Sequence, residues 1–469
     1  MRALVVALIL VGACSSGSAP TPFVAPASTV PVPSPSGSLS TPQSTSAPVT
    51  PLPSAVAAVG QIQELRSETL RNAPGPDRLA GVATLSTADA DLGFRLYHEL
   101  TNGSDENLFF SPYSISTALS MTLAGARGNT AEEIAAVLGV GADQQAWHDA
   151  RNRLELALSS LESRHLPSEG EAEPLTLEPT NAIFGQADYA FRDAYLDLLA
   201  ADYGAGMQAV DFIGNPEAAR LGINAWVADR TRDRIEELLK EGSITPLARA
   251  VLVNAIYFKG NWYHEFAGDR TSAEPFHPLE GPAWDVQTMH ASPETGYASG
   301  RGWAAVQLRY WGDASMIVVV PDEGRFSDIE SRVDSEFVDE LRAALTTHEV
   351  HLSLPRWESE STLSLSRVLE ELGIHDAFDE DRADLSGMAD FSRTGESLFV
   401  ADVIHQANIT VDEEGTEAAA ATAVLVFAVC KCPPPEVTLT IDRPFIYLIR
   451  DDITGEILFL GRVLNPKLL

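Results

Sequence analysis

Hydrophobic residues recur at two kinds of spacing along the chain, and these predict two kinds of element. Spacing of three and four residues is typical of amphipathic helices and occurs in Ala131–Leu138, Arg151–Leu161 and Asn224–Leu239. Apolar runs broken by turn residues predict strands in Ala304–Val320, Val350–Leu354 and Pro444–Leu460. The predicted turns are Trp311-Gly312-Asp313 and Thr454-Gly455. Because helical and strand blocks follow one another in irregular order, we expect an α+β fold.

The first residues have the pattern of an export signal. One basic residue, Arg2, precedes an apolar run that ends at Ala13 and is too short to span a bilayer, so residues 1–13 are predicted to be a signal peptide. Cys14 follows Val11-Gly12-Ala13, which resembles the lipobox of bacterial lipoproteins. That resemblance implies a lipidated Cys14 and an exported protein, anchored by lipid to the bacterial membrane at the cell surface. The alternative is an ordinary cleaved signal peptide in which Cys14 has no role.

A change of composition divides the rest of the chain. Residues 14–57 are rich in Pro, Ser and Thr, and Ser15–Ser54 carry no charge, so this linker is predicted to be an extended, disordered stalk. Residues 58–84 are an uncertain lead-in. Residues 85–469 have globular composition without a second proline-rich linker, which predicts one domain with a polar loop at Ser163–Pro174. No later stretch has 18 uninterrupted apolar residues, so no second membrane segment is expected.

Composition and motifs exclude several classes of protein. The 469 residues are 45% hydrophobic with three cysteines, which excludes a wholly disordered chain and a disulfide-stapled miniprotein. The 32 basic residues against 66 acidic ones give a net charge of −34, which would repel nucleic acid. Common catalytic motifs such as G-x-S-x-G and H-E-x-x-H are missing. His348 and His351 could form half of a metal site, but no other His or Cys lies nearby, so we expect them on a surface strand. With the catalytic motifs missing as well, we expect no enzyme, no metal and no cofactor.

The segment after Val411 has a composition that suits neither a helix nor a strand throughout. The four alanines at 418–421 favour a helix, whereas the following apolar run Val424–Val429 favours a strand. Such a conflict is typical of a segment that changes conformation. The alternative is a helix that runs into an exposed loop.

This segment and several others resemble the serpin family. Glu413-Glu414-Gly415-Thr416-Glu417-Ala418-Ala419 is similar to the proximal hinge of the serpin reactive-centre loop. Asn107–Ser116 resembles the segment that opens the buried helix under the main sheet, and Asn254–Trp262 resembles the strand leading to the breach, where the loop first enters. Arg443-Pro444-Phe445 and Gly461–Pro466 resemble the closing strands. The resemblance covers residues 85–469 and implies mixed helices around three β-sheets with an exposed reactive-centre loop.

The resemblance also implies a function. An inhibitory serpin offers its loop to a serine protease, and after cleavage the loop inserts into the main sheet as a new strand and traps the acyl-enzyme one-for-one. Strand insertion alternates side chains between the two faces of the sheet. Thr416, Ala418, Ala420 and Thr422 would then face the core, whereas Glu417, Ala419 and Ala421 would face outward. None of these residues is bulky, and none on the core side is charged, which favours inhibition over a non-inhibitory binding or scaffold role. A monomer is expected.

Five residues match family positions at which the sheet opens. Four form the shutter, a buried hydrogen-bonded cluster, and the fifth lies in the breach; they are Ser111, Ser114, Asn254, His405 and Trp262. For His405 and Trp262, a plain packing role and the functional role coincide.

The position of the scissile bond depends on how the loop is counted. Spacing from Glu413 places it after Val429 and before Cys430, which suits elastase-like proteases. Counting back from Pro434 places it after Lys431 and before Cys432, which suits trypsin-like proteases. We favour Val429, and subtilisin-like proteases are further candidate partners. The two loop cysteines are either redox-sensitive thiols or residues with no role.

Overall fold

The computed structural model describes residues 62–161, 175–392, 395, 397–416 and 434–466. The predicted polar loop at Ser163–Pro174, the signal peptide, Cys14 and the stalk lie outside these residues. The described helices are α1 Val82–Thr101, α2 Pro112–Gly125, α3 Gly128–Leu138, α4 Gln144–Leu158, α5 Asp193–Tyr203, α6 Pro216–Arg230, α7 Phe326–Glu330, α8 Ser335–Ala344 and α9 Ser366–Leu372. In this part of the chain, no helix combines the length and apolar character needed to cross a membrane.

The described strands are β1 Gln63–Leu65, β2 Leu108–Phe110, β3 Thr176–Gln186, β4 Ala190–Phe191, β5 Met207–Val210, β6 Ala250–Asn261, β7 Ser272–Phe276, β8 Trp284–Ala291, β9 Glu294–Gly300, β10 Trp303–Arg309, β11 Ala314–Pro321, β12 Thr346–Pro355, β13 Trp357–Ser364, β14 Ala389–Asp390, β15 Val400–Val411, β16 Gly415–Thr416, β17 Glu436–Thr440, β18 Phe445–Asp451 and β19 Ile457–Val463. They form a seven-stranded, a ten-stranded and a two-stranded sheet. The expected α+β fold with three sheets is confirmed.

The seven-stranded sheet contains the functional segment. Its order is β1-β5-β3-β6-β16-β15-β13, with β6 and β15 also paired directly and in parallel. Helix α2 packs beneath this sheet, and every residue of α2 except Ala124 is buried. The hydroxyls of Thr117, Ser120 and Thr122 donate to backbone carbonyls four residues earlier in the helix, as in Thr117 to the carbonyl of Tyr113 at 2.8 Å, so these three side chains are buried without losing their hydrogen bonds.

Most sequence-predicted elements are confirmed, but two predicted helices run past their observed ends. The predicted helix at Arg151–Leu161 ends three residues earlier, at Leu158 of α4. The predicted helix at Asn224–Leu239 coincides with α6 only as far as Arg230. Arg232 and Asp233 take left-handed φ angles of 54° and 59°, which break the helix. The apolar periodicity continues because Ile235 and two leucines after it pack on the same cluster as α6 from an irregular segment.

Part of the lead-in belongs to the folded structure. Strand β1 pairs antiparallel with β5 at the edge of the seven-stranded sheet. Arg71 pairs with Glu155 of α4 at 2.9 Å, and the side chain of Asn72 donates to Asp202 of α5 at 2.7 Å. Residues upstream of the predicted boundary at 85 therefore contact the sheet and two helices.

Candidate functional site: the hinge and the opening of the sheet

The chain reverses direction after β15 and enters the sheet again. Asp412 makes the turn, since its carboxylate accepts from the backbone N–H of Glu414 at 3.0 Å and of Gly415 at 3.2 Å. Gly415 and Thr416 then form β16, which lies between β6 and β15 and pairs with both. We call Asp412–Thr416 the hinge segment. Its last two residues already occupy a strand position inside the sheet.

The entry point requires a glycine. A Cβ atom on Gly415 would overlap the carbonyl oxygen of Gly260, and the backbone at Gly415 has φ +157°. The same close approach allows Thr416 to be buried, with 1% of its surface exposed. Thr416 Oγ1 is 2.8 Å from the hydroxyl oxygen of Tyr310. The side chain of Thr416 therefore faces the core and is held there.

Trp262 lies against the hinge segment, at the position expected for the breach. Its indole stacks on Tyr310 with ring centroids 4.5 Å apart, and its Nε1 donates to the carbonyl of Asp412 at 3.0 Å. Its backbone N–H donates to the carbonyl of Glu414 at 2.8 Å. The aromatic pair thus holds the turn through packing and through two hydrogen bonds.

Glu413 is buried and anchors the hinge segment to two other parts of the chain. Its carboxylate accepts from Arg356 Nε at 3.0 Å and from the hydroxyl of Thr271. Burial raises the pKa of Glu413, but the hydrogen bonds from Arg356 and Thr271 outweigh it, so the pKa lies below its usual value. Arg356 and Thr271 are partners of the hinge segment that the sequence did not indicate, because they lie far from Glu413 along the chain.

The predicted shutter residues come together between α2 and the sheet. The backbone N–H of Ser111 donates to His405 Nε2 at 3.1 Å, so the proton lies on Nδ1, which contacts Asn254 Oδ1. Asn254 Nδ2 donates to Ser114 Oγ at 2.7 Å. Burial lowers the pKa of His405 to about 3, so the ring is neutral at physiological pH.

A fifth shutter residue was missed. Asn181 on β3 stands opposite Asn254 on β6, and its Oδ1 accepts from Ser114 Oγ at 2.9 Å. We call Ser111, Ser114, Asn181, Asn254 and His405 the shutter cluster. It joins α2 to three strands, β3, β6 and β15, through polar contacts that all involve neutral groups.

The sheet is closed at the shutter cluster and parted above it. Direct pairing of β6 with β15 runs from Ala250 and Val400 to Ile256 and Ala407. Higher up, Thr416 pairs with Gly260 on one side and with Val411 on the other. We call the fork the point where this direct pairing ends, just past Ile256 and Ala407 towards the carboxyl ends of β6 and β15. This arrangement supplies an entry for a strand whose first two residues are in place.

Other predicted residues either lie outside the described structure or form no site in it. Glu417, Ala418–Ala421, Val429, Cys430, Lys431 and Cys432 are outside the described residues, as is Cys14. Within the described ranges, no group of three or more His, Cys, Asp or Glu side chains is placed to hold a metal. His348 and His351 bond to Thr346 and Ser292 instead.

A family model described as "Serpin (serine protease inhibitor)" matches residues 87–466, which is most of the chain. The chain belongs to the serpin family. The end of the hinge segment thus lies in the main sheet of a serpin, and the shutter cluster lies between that sheet and α2.

Relatives of this serpin have different names and sources. An uncharacterized serpin-like protein of Thermococcus kodakarensis is 37% identical over 80% of this chain and 84% of its own. Leukocyte elastase inhibitor A of Mus musculus is 35% identical over 81% of this chain and 99% of its own. Among solved structures, human thyroxine-binding globulin with thyroxine has a TM-score of 0.71 and 29% identity, covering 82% of this chain and 99% of that one. The family therefore includes proteins named for inhibition and proteins named for ligand binding.

Proposed function

We propose that this serpin is a suicide-substrate inhibitor of serine proteases. The observation that carries the proposal is that Gly415 and Thr416 already lie as a short strand between β6 and β15. Nearer their amino ends, β6 and β15 still pair directly with each other. A protease that cleaves the loop frees the chain after Thr416 to continue the strand. The energy for this step comes from new backbone pairing and apolar burial on both sides of the inserted strand.

The register of β16 fixes where each following residue would lie after insertion. Since Thr416 stands opposite Gly260, antiparallel continuation puts Ala420 beside Ile256 and Thr422 beside Asn254. Side chains alternate, so Thr422 would share the core face with Thr416 and arrive at the shutter cluster. Its hydroxyl would meet Asn254 and His405 as they separate. Small side chains along this path keep the steric cost of insertion low.

The proposed targets follow from the loop residues. Val429 would fit a small apolar specificity pocket, and the relative named leukocyte elastase inhibitor A agrees with an elastase-like target. Lys431 would fit a pocket with a buried carboxylate in a trypsin-like protease. We propose cleavage after Val429, with Lys431 as the alternative bond.

The proposed location is the cell surface, with a lipid on Cys14 and a proline-rich stalk that holds the inhibitor away from the membrane. It is supported by the lipobox-like residues before Cys14 and by the uncharged linker. Cys14→Ala should move the protein from the membrane fraction to the soluble fraction. Retention of the variant in the membrane fraction would remove the support for lipid anchoring.

The inhibitory proposal is tested by mixing the full chain with an elastase, a trypsin and a subtilisin. A band at the summed mass of inhibitor and protease on a boiled denaturing gel is expected for at least one protease. The mass of the released carboxy-terminal fragment, beginning at Cys430 or at Cys432, identifies the bond. Cleavage by every protease with no covalent band and no gain in heat stability would leave a serpin-fold binding or scaffold protein.

A further inference from the structure

A group of buried charged side chains lies where α1, α2 and α4 meet the turn between β18 and β19. Arg151 of α4 donates from Nη1 to Asp89 Oδ2 at 2.6 Å and from Nη2 to Asp89 Oδ1 at 2.8 Å. Its Nη2 also donates to Ser116 Oγ of α2 at 2.7 Å. Glu456, directly before β19, completes the group, which we call the acid cluster. Arg151 and Glu456 have 0% of their surface exposed, and Asp89 has 1%.

Glu456 is the member of the acid cluster that lacks an ion-pair partner. Its carboxyl group faces Asp89 and Ser86 on α1. Among the residues that the structure describes, no N–H or O–H group donates a hydrogen bond to either of its oxygens. Both terminal nitrogens of Arg151 are directed at Asp89 and Ser116. The acid cluster thus contains two carboxyl groups and one guanidinium, which is already paired.

This composition determines the charge that Glu456 can carry. A carboxylate that leaves water without gaining hydrogen-bond donors is strongly disfavoured, and a second carboxylate beside it adds repulsion. A protonated Glu456 avoids both costs, because its O–H can donate to the carboxylate of Asp89. Burial, and after it the charge of Asp89, raise the pKa of Glu456 well above its usual value. With Glu456 neutral, Asp89 and Arg151 balance each other.

The turn before β19 holds the carboxyl group of Glu456 in this place. The backbone N–H of Asp451 donates to the carbonyl of Glu456 at 3.0 Å, and the N–H of Glu456 donates to Thr454 Oγ1 at 3.3 Å. The hydroxyl of Thr454 in turn donates to the carboxylate of Asp451 at 2.5 Å. The side chain of Glu456 therefore cannot reach water unless this turn moves.

Other ionisable groups surround the acid cluster on every element that packs there. They are Tyr113 on α2, His148 and Glu155 on α4, Arg71 of the lead-in, and Arg450 and Asp451 of β18. Burial raises the pKa of Tyr113 and lowers that of His148 to about 4, so both are neutral at pH 7. Burial also raises the pKa of Glu155, which pairs with Arg71 at 2.9 Å. Arg450 faces Asp452 and the α8 residues Arg342 and Asp339.

We propose that Glu456 is a buried proton-binding site, which makes the folded serpin more stable in mildly acidic surroundings than in neutral ones. In the unfolded chain, a glutamic acid loses its proton above a pH of about 4.5. The folded chain keeps the proton on Glu456 to a higher pH, so stability falls as pH rises from there until the folded state also loses the proton. Below that pH the contribution is complete. The direction is opposite to that expected for His405.

The acid cluster is separate from the hinge segment, and the inference holds whether or not the protein inhibits a protease. Ser116 lies on α2, two residues after Ser114 of the shutter cluster. The proton is therefore bound within the packing of the helix that supports the main sheet.

The test compares the full natural chain with Glu456→Gln, which keeps the size of the side chain and cannot ionise. The equilibrium constant for unfolding in denaturant is measured from pH 5 to pH 8. Its ratio, natural chain to variant, should rise about tenfold per pH unit until the proton is lost. Taking the ratio removes the contributions of the histidines, of Glu155 and of the surface charge. Glu358→Gln, at an exposed position of β13, is the matched control and should follow the natural chain.

A second measurement detects the proton itself. At pH 6, the infrared difference spectrum between the natural chain and Glu456→Gln should contain the carbonyl band of a protonated carboxylic acid. A ratio that does not change with pH, or the absence of this band, would overturn the proposal. If Glu456→Gln does not fold, Asp89→Asn takes its place, because Arg151 is then free to pair with an ionised Glu456. The acid band and the extra pH dependence should then disappear, and their persistence in Asp89→Asn would equally overturn the proposal.

Discussion

The hinge segment and the shutter cluster lie on the same line between β6 and β15, yet they are held in different ways. At the hinge, a strand has already entered, and a buried carboxylate, an arginine and stacked aromatic rings hold it. At the shutter cluster the two strands pair directly, and neutral side chains join them to α2. The comparison indicates that opening has begun at one end, while the other end keeps the sheet closed until a complete strand is available.

The largest effect, on the formation of covalent complexes, is expected from a charge at Thr416, the end of the hinge segment that lies inside the sheet. Thr416→Arg would put a guanidinium into a position with 1% exposure, beside the hydroxyl of Tyr310, where burying a charge is costly. We expect covalent complexes to fall by about a hundred-fold while loop cleavage continues, measured on denaturing gels. Thr438→Arg, on an exposed position of β17, is the matched control. Equal trapping by both variants would mean that Thr416 need not stay buried.

Removing the cation that pairs with the buried hinge carboxylate should have the next largest effect. Arg356→Ala leaves Glu413 with Thr271 but without its ion pair, and we expect the free energy of unfolding to fall by about 2 kcal/mol. Denaturant unfolding measures the change. The control is Arg367→Ala, whose exposed pair with Glu371 should contribute less than about 0.5 kcal/mol. Equal losses from the two substitutions contradict a special role for the hinge pair.

At the other end of the line, the shutter cluster should respond to loss of a single hydroxyl. Ser114→Ala removes a hydroxyl that accepts from Asn254 Nδ2 and donates to Asn181 Oδ1, and should cost about 1.5 kcal/mol because each buried amide group loses one partner. Ser331→Ala, at the exposed end of α7, should change stability by less than about 0.5 kcal/mol. A faster spontaneous loss of inhibitory activity in Ser114→Ala would show that the cluster also holds the sheet closed. A stability as high as that of the control would show that the cluster is dispensable.

The smallest predicted effect is the dependence of stability on pH between pH 6.5 and 5.5. The pKa of His405 is lowered to about 3 by burial, against about 6.5 in an unfolded chain. Its contribution is complete above pH 6.5 and is lost as pH falls towards 3, with a slope of up to about 1.4 kcal/mol per pH unit. Between pH 6.5 and 5.5 the loss should be about 1 kcal/mol. His148 shifts in the same direction, so the measurement is the difference between the natural chain and His405→Gln. Parallel pH curves for the two would contradict a neutral His405.

The amino-acid sequence predicted most residues of the hinge segment and the shutter cluster, but not all of their contacts. Local motifs indicated the hinge residues and four of the shutter residues through their resemblance to a family. Asn181 and Arg356 were missed because their roles depend on strand register and on contacts between distant segments. The predicted end of α6 was wrong because the apolar spacing continues through Ile235 and beyond. The helix itself has already ended before two residues with left-handed backbone, Arg232 and Asp233. The pairing of β1 with β5 was not predicted, because a strand of three residues is too short to show an alternating apolar pattern.

The most direct test of the account is a structure of the protein after its loop has been cleaved. The account predicts a complete strand between β6 and β15, with Ala419 between Tyr257 and Asn408 and Thr422 between Asn254 and His405. A cleaved protein in which Ile256 still pairs with Ala407, and the loop lies outside the sheet, would contradict the central claim.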